Sequence, residues 1–150
     1  MPDLPLAVSL GDPAGVGPEL IAAAWARRDA DDLEPFFVAG GPELLAKAAE
    51  RRGIAMPVTQ IFHPAEAMDC FAWSLPVLAG ADGTYAPGAP SREGAELALA
   101  SLGEAVGLAV AGEAAGIVTA PIAKARLAEV GFAHPGQTEY VAAACGVAAQ

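Results

Sequence analysis

The stretch from residue 117 to residue 139 carries the side chains whose types and spacing could support chemistry. A β-branched run at residues 117–119 leads into Pro121, which cannot donate to a sheet ladder, so a strand is predicted to end there. Lys124, one of two lysines, follows closely, and Thr138 lies in the polar segment that returns to the same end. Polar groups at the carboxyl end of a strand, beside a helix N-terminus with free N–H groups, are suited to an anionic ligand.

Two helices are predicted to position these groups. The first covers residues 122–130, with Gly131 as the residue that ends it, and residues 132–136 form the loop into the second helix. Thr138 is the expected N-cap of the second helix, although its hydroxyl could instead face a phosphate. Lys124 also has two interpretations, because a solvent-exposed helix lysine fits its position as well as a ligand-binding lysine does.

A glycine-rich motif, GDPAGVGPE at residues 11–19, follows an apolar strand predicted at residues 4–10 and precedes a helix. Pro18 suits the first helical position because its missing N–H would be unpaired there in any case. Asp12 lies in this motif, where its carboxylate could orient the loop or accept a hydrogen bond from a ligand hydroxyl, and we assign it as a candidate cofactor-binding residue. The spacing matches neither G-x-G-x-x-G nor a Walker motif, so spacing alone favours a plain glycine-rich turn.

The same arrangement recurs at residues 36–39, where an apolar strand runs into the sequence GGPE and a helix that Gly53 ends. Two successive strand–helix units predict an α/β fold, with a mostly parallel sheet and helices on both faces. Further strands are predicted at residues 58–62 and 75–79, and Pro76 is interpreted as marking a strand end or an edge.

A turn-rich connection at residues 81–90, in which Asp82 precedes a glycine and signals a tight turn, leads to a long helix at residues 92–111. Ser91 is its expected N-cap. Three glycines in this helix would each weaken it by about 1 kcal/mol relative to alanine. We therefore expect the helix to be buried, with close packing that compensates.

The composition narrows the class of protein. A chain of 150 residues is expected to form one domain, and its 54% hydrophobic and 17% charged residues indicate that part of its surface is covered by a partner. A net charge of −10 with only eight lysines and arginines excludes binding to a phosphate backbone, so nucleic acid is not an expected partner.

No metal site can be assembled from motifs in this sequence. The two histidines, His63 and His134, have no carboxylate or thiol near them at a ligand spacing, and Cys70 and Cys145 are isolated. The cysteine usage fits a reducing, cytoplasmic location, and no apolar stretch is long enough to span a membrane.

Three motifs in order carry a family resemblance: GDPAGVGPE at residues 11–19, VTAPIAK at residues 118–124 and GQTE at residues 136–139. Together they resemble the amino-terminal half of 4-hydroxythreonine-4-phosphate dehydrogenases, enzymes of pyridoxal phosphate (vitamin B6) biosynthesis. The first motif is also similar to one in isopropylmalate and isocitrate dehydrogenases, and the resemblance implies their two-domain fold, with this chain as the amino-terminal part.

The resemblance further implies oxidation and decarboxylation of 4-phosphohydroxy-L-threonine, or of a related phosphorylated hydroxy acid, by a cytoplasmic homodimer that uses NAD and a divalent metal (Zn, Mg or Co). In that family the metal histidines come later than this chain reaches, so no metal ligand is expected within it. The family's substrate-binding His-Thr pair falls on Gln137 and Thr138, with Lys124 nearby as a third substrate-binding candidate. Glutamine thus replaces the family histidine, and Ala123 replaces the usual asparagine before the lysine.

The end of the sequence leads to a second hypothesis. The helix that starts at Thr138 has no following strand to cover it, so we expect either more chain beyond Gln150 in the natural protein or a partner surface. If the chain is not continued, the alternative is a catalytically inactive homologue that acts as an anion-binding or interaction module.

Overall fold

The computed structural model describes residues 3–147, and five parallel strands form the centre of this part of the chain. The strands are β1 (Leu6–Ser9), β2 (Phe36–Ala39), β3 (Val58–Ile61), β4 (Leu75–Leu78) and β5 (Ile117–Thr119). Their order across the sheet is β3-β4-β2-β1-β5, and every pairing among the described residues is parallel. The sheet confirms the predicted α/β fold class.

Six helices connect or follow the strands in the described part of the chain. They are α1 (Gly17–Ala26), α2 (Pro42–Arg51), α3 (Ala67–Cys70), α4 (Arg92–Val110), α5 (Lys124–Glu129) and α6 (Gln137–Ala144), with a short 3-10 turn at Pro64–Glu66 before α3. None of the helices within residues 3–147 is both long enough and apolar enough to cross a membrane.

The strand side chains alternate between two apolar clusters, as the period of two in a strand requires. Val8 and Phe36 belong to the cluster that contains residues of α1 and α2. Ala7 and Phe37, their neighbours in sequence, belong to the cluster that contains residues of α3 and α4. Helices therefore cover both faces of the sheet, as predicted.

Pro76 lies inside β4, which is an internal strand, so its interpretation as a strand end or an edge is wrong. Leu75 and Ala79 both donate their N–H groups toward the β3 side, so the nitrogen of position 76 faces β2. The register of β4 with β2 begins only at Val77, one residue further on. The proline therefore lies just before the first paired residue of the β2–β4 ladder, where its missing N–H interrupts no pairing between Val77–Leu78 and β2, and an internal strand tolerates it.

The predicted boundaries around β5 need two corrections. The helix predicted at residues 122–130 begins only at Lys124, because Ala123 is still extended, with φ −95° and ψ 100°. Thr138 is not an N-cap: Gly136 occupies that position, and α6 begins at Gln137. Gly131 does end α5 in the left-handed region, with φ +100°.

The long helix α4 begins as predicted, with the Ser91 hydroxyl accepting a hydrogen bond from the Gly94 N–H at 3.0 Å. Seven of its side chains are buried, and it packs against α5 and α6 as well as the sheet. A Cβ at Gly103 would lie 3.3 Å from the Tyr140 hydroxyl, so close packing explains that glycine. Gly107 is exposed with open space beside it, so the predicted close packing does not occur at this position.

Candidate functional site

The end of β5 and the glycine loop, defined here as residues 11–16, lie in direct contact. Gly11 has φ +75°, and a Cβ at this position would lie 2.7 Å from the Pro121 carbonyl oxygen and 2.9 Å from Ala120 Cβ. The Asp12 N–H donates to the same Pro121 oxygen at 3.2 Å. Only glycine permits both this conformation and this close approach, so the first motif is built around the end of β5.

Two buried serines hold the strand ends in place. The Ser9 hydroxyl accepts a hydrogen bond from the Ala120 N–H at 3.1 Å, and the Ser101 hydroxyl accepts one from the Leu10 N–H at 2.8 Å. Both side chains are almost completely buried, so each satisfies a backbone donor that water cannot reach. Neither residue was among those predicted from the sequence. Ser9 could have been found, because it is a serine at the end of an apolar strand. No sequence pattern in α4 distinguishes Ser101.

Asp12 shapes the glycine loop through its own side chain. Its Oδ1 accepts a hydrogen bond from the Ala14 N–H at 2.8 Å, and its carbonyl accepts one from the Gly15 N–H at 3.0 Å. The residue is only 5% exposed. The Asp12 carboxylate therefore orients the loop, which was one of its two interpretations, and its assignment as a cofactor-binding residue stays a prediction.

A cavity of about 400 Å³ opens beside Asp12, and we call it the Asp12 pocket. The glycine loop forms one wall, and the others are Pro90, residues 121–123 and Arg126. A carboxylate and a guanidinium are thus its only charged side chains among the described lining residues. Such a pocket can accept a hydrogen bond from a hydroxyl and donate hydrogen bonds to an anion.

The GQTE motif reaches the same strand end from the other side. The Gln137 Nε2 donates to the Ala120 carbonyl oxygen at 3.4 Å, a long hydrogen bond. The Gln137 Oε1 is buried and has no hydrogen-bond partner among the described residues. Thr138 is exposed on the first turn of α6. Gln137 therefore turns its amide inward, whereas Thr138 presents its side chain to solvent.

Lys124 lies across the start of α6, as the surroundings of Gly136 show. A Cβ at Gly136 would be 3.5 Å from both Cε and Nζ of Lys124, and 3.1 Å from Oε2 of Glu139. Glycine at this N-cap leaves room for the ammonium group close to the first N–H groups of the helix. A positive side chain and a helix N-terminus together favour an anion at this point, because both carry positive charge, and the nearby Glu139 carboxylate offsets part of that charge.

The two histidines are far from forming a common site. His134 packs edge-on against Tyr140, with ring centroids 5.3 Å apart, and near Phe132. His63 follows β3 at the opposite edge of the sheet. Within residues 3–147 no three His, Cys, Asp or Glu side chains are grouped in a way that could hold a metal ion.

Asp82 does more than mark a turn, which was its interpretation from sequence. Its carboxylate accepts hydrogen bonds from the N–H groups of Glu43 at 2.9 Å and Leu44 at 3.4 Å. The N-cap of α2 is Gly41, which has no side chain to satisfy these donors. Asp82 therefore caps α2 from a distant part of the chain, which a local sequence pattern could not reveal.

A larger cavity of about 530 Å³ lies between α1 and strands β1, β2 and β5. Its walls are mostly apolar and include Leu20 and Val118, which are 53% and 49% exposed. No predicted site residue lines it, so the smaller Asp12 pocket is the better candidate for chemistry.

Comparison with known proteins identifies relatives of this chain. Residues 32–150 match the family described as pyridoxal phosphate biosynthetic protein PdxA. The chain is 58% identical over 146 residues to the 4-hydroxythreonine-4-phosphate dehydrogenase of Erythrobacter litoralis, covering 97% of this chain and 44% of that protein. It is 46% identical to the enzyme of the same name from Zymomonas mobilis, covering 97% of this chain and 42% of that protein.

Solved structures agree with these matches. The 4-hydroxythreonine-4-phosphate dehydrogenase from Klebsiella pneumoniae superposes with a TM-score of 0.80 at 31% identity, over 95% of this chain and 44% of that one. The enzyme of the same name from Burkholderia phymatum gives a TM-score of 0.80 at 27% identity, over 98% of this chain and 45% of that one. The chain thus spans less than half the length of the relatives it matches.

Proposed function

Because this chain belongs to the family of pyridoxal phosphate biosynthetic proteins PdxA, we propose that it is part of an NAD-dependent dehydrogenase acting on 4-phosphohydroxy-L-threonine or a related phosphorylated hydroxy acid. The reaction oxidises a secondary alcohol to a ketone, and the β-keto acid formed then loses carbon dioxide. The relatives are more than twice as long, so this activity is proposed for the whole protein, as a cytoplasmic homodimer.

One observation carries the proposal: all three motifs meet at Ala120 and Pro121. The Asp12 N–H from the first motif donates to the Pro121 carbonyl, and the Gln137 amide from the third motif donates to the Ala120 carbonyl. The second motif contains the two accepting residues. The first motif, at residues 11–19, and the two later motifs, at residues 118–124 and 136–139, thus build one end of the sheet, where parallel α/β sheets bind their ligands.

In this proposal the substrate's phosphate lies at the start of α6. Lys124 supplies the positive charge, Thr138 supplies a hydroxyl, and the first N–H groups of α6 supply further donors. Gln137 keeps the position of the family histidine, and in the conformation observed its amide supports the strand end.

The Asp12 pocket is the proposed binding site for the cofactor. Its volume of about 400 Å³ is that of a small ligand site, enough for one part of a dinucleotide. Asp12 would accept a hydrogen bond from a ribose hydroxyl, and Arg126 would pair with a phosphate. NAD supplies the hydride acceptor when bound. The divalent metal does not fit the described residues, which group no three ligands, and we assign no step to it here.

Calorimetric titration of this chain with 4-phosphohydroxy-L-threonine (hydroxythreonine phosphate) tests the proposed phosphate site at the start of α6. Lys124→Ala should weaken binding by about tenfold or more, because a hydrogen bond to a charged group is lost. Lys47→Ala is the matched control, since Lys47 is the other lysine and lies exposed on α2. Equal affinity in Lys124→Ala and Lys47→Ala would refute the assignment. Binding by the whole natural protein without any NADH production would instead favour the anion-binding module.

A further inference from the structure

Residues 81–90, which we call the strap, connect β4 to α4 and lie along the glycine loop. The Gly88 N–H donates to the Ala14 carbonyl of that loop at 2.8 Å, and the Gly41 N–H donates to the Ala81 carbonyl at 3.0 Å. Pro90 at the end of the strap lines the Asp12 pocket together with residues of the glycine loop. The strap and the glycine loop therefore form two walls of one pocket, and their separation sets its width.

One side-chain contact ties the strap to the first motif. The Tyr85 hydroxyl donates to Oε1 of Glu19 at 2.5 Å. The same Glu19 oxygen lies 3.6 Å from Nε of Arg51, but the Arg51 side chain is 62% exposed, whereas that of Glu19 is 21% exposed. The contact with Tyr85 is the shorter of the two, and Arg51 is screened by solvent.

Tyr85 keeps its proton at neutral pH, as a donor must. Burial raises the pKa of its phenol, and the hydrogen bond to Glu19 and the charge of Glu19 raise it further, against an opposing effect of Arg51 and Arg52. The ring of Tyr85 packs against the apolar cluster of α1 and α2. The ring thus contributes to packing, while the hydroxyl makes a directed contact.

Glu19 is the last residue of the GDPAGVGPE motif and lies in the first turn of α1. A carboxylate at this position already favours the helix dipole, but that does not require a partner on the strap. We propose that Glu19 and Tyr85 form a latch that fastens the strap to the first turn of α1, directly after the glycine loop, and that both are positioning residues for the Asp12 pocket. The latch goes beyond the proposed function. Because both of its residues lie within this chain, it can be measured without a ligand.

Hydrogen exchange under native conditions tests the latch directly, because it reports local opening at single amides. The Gly88 N–H, which bonds to the glycine loop, should exchange about tenfold faster in Tyr85→Phe and in Glu19→Ala. Glu19→Gln keeps an acceptor for the phenol and should stay close to the unmodified chain. The amide of Val38, in the central strand β2, serves as the internal standard.

Tyr140→Phe is the matched control, because it removes the other phenolic hydroxyl of the chain from α6. It should leave Gly88 exchange unchanged. Unchanged Gly88 exchange in Tyr85→Phe would overturn the latch. Equal acceleration at Gly88 and Val38 would also overturn it, since it would show a general loss of stability.

Titration with NAD separates the latch from the proposed function. If the Asp12 pocket binds NAD, Tyr85→Phe should raise the Kd severalfold while Tyr140→Phe leaves it unchanged. Equal NAD affinity in both variants would refute a positioning role for Tyr85. Failure of the unmodified chain to bind NAD would count against the cofactor assignment, and the exchange measurement would still decide whether the latch exists.

Discussion

Replacement of Gly11 by alanine tests whether the glycine loop touches the end of β5. Two costs apply at this position. A left-handed conformation with a Cβ costs about 1–2 kcal/mol, and Gly11 has φ +75°. The new Cβ would also lie 2.7 Å from the Pro121 carbonyl oxygen, which is backbone and cannot rotate away. Overpacking of this kind costs roughly 1–3 kcal/mol, so Gly11→Ala should lower the free energy of unfolding by about 2–4 kcal/mol once the entropy that alanine removes from the unfolded chain is included.

Two other glycines separate these costs. Gly53 has φ +66° and open space around it, so Gly53→Ala should show the conformational cost alone, about 1 kcal/mol. Gly15 lies in the same loop as Gly11 without a positive φ, and its Cβ would be 3.5 Å from the Asp12 carbonyl oxygen, an ordinary contact. Gly15→Ala should therefore be neutral or stabilise the chain by up to about 1 kcal/mol.

Urea denaturation of the three variants, with the m-value checked against that of the unmodified chain, gives the required free energies. The expected order, from the most to the least destabilised variant, is Gly11→Ala, Gly53→Ala and Gly15→Ala. If Gly11→Ala and Gly53→Ala lower the free energy of unfolding equally, the glycine loop does not approach Pro121 as closely as the structure shows. If Gly11→Ala changes the free energy of unfolding no more than Gly15→Ala does, Gly11 does not adopt the left-handed conformation either.

Three further predictions concern the substrate loop, pH and assembly. Gln137→His in the whole natural protein should tighten hydroxythreonine phosphate binding about fivefold at pH 6 but not at pH 8, since histidine is mostly protonated only below its usual pKa of about 6.5; unchanged Kd values at both pH values would refute contact with the anionic group. The Glu66 carboxylate accepts hydrogen bonds from the backbone N–H groups of His63 and Phe62, which lower its pKa. Its stabilising effect is therefore present above the unfolded pKa and lost as the pH falls through the lower folded value, and Glu66→Gln should remove this acid dependence from urea midpoints measured between pH 6 and pH 3. Self-association is expected because Leu20 and Val118 are half exposed beside the apolar cavity; a clean monomer in sedimentation at high micromolar concentration would contradict it.

The sequence by itself determined all five strands and the longer helices, but not α3 or the 3-10 turn at Pro64–Glu66. Short apolar runs, proline at helix starts and glycine at helix ends act over a few neighbouring positions, so strands such as Phe36–Ala39 and the cap at Ser91 could be predicted from local chemistry. The same local rules failed where a distant partner decided the outcome. Pro76 is tolerated inside the sheet only because of the register between β4 and β2, and that register is a property of two strands together.

The candidate site divides in the same way. The three motifs and the residues Asp12 and Lys124 could be selected from the sequence, because their types and order form a pattern, and the resemblance to a known family added Gln137 and Thr138. Only the tertiary structure decided which of them meet. The contact of Ser9 with Ala120, the cap that Asp82 provides for α2 and the bond between Tyr85 and Glu19 each join residues at least 38 positions apart. Hydrogen bonds over such separations depend on how the helices pack on the sheet, and no local pattern of residues encodes that packing.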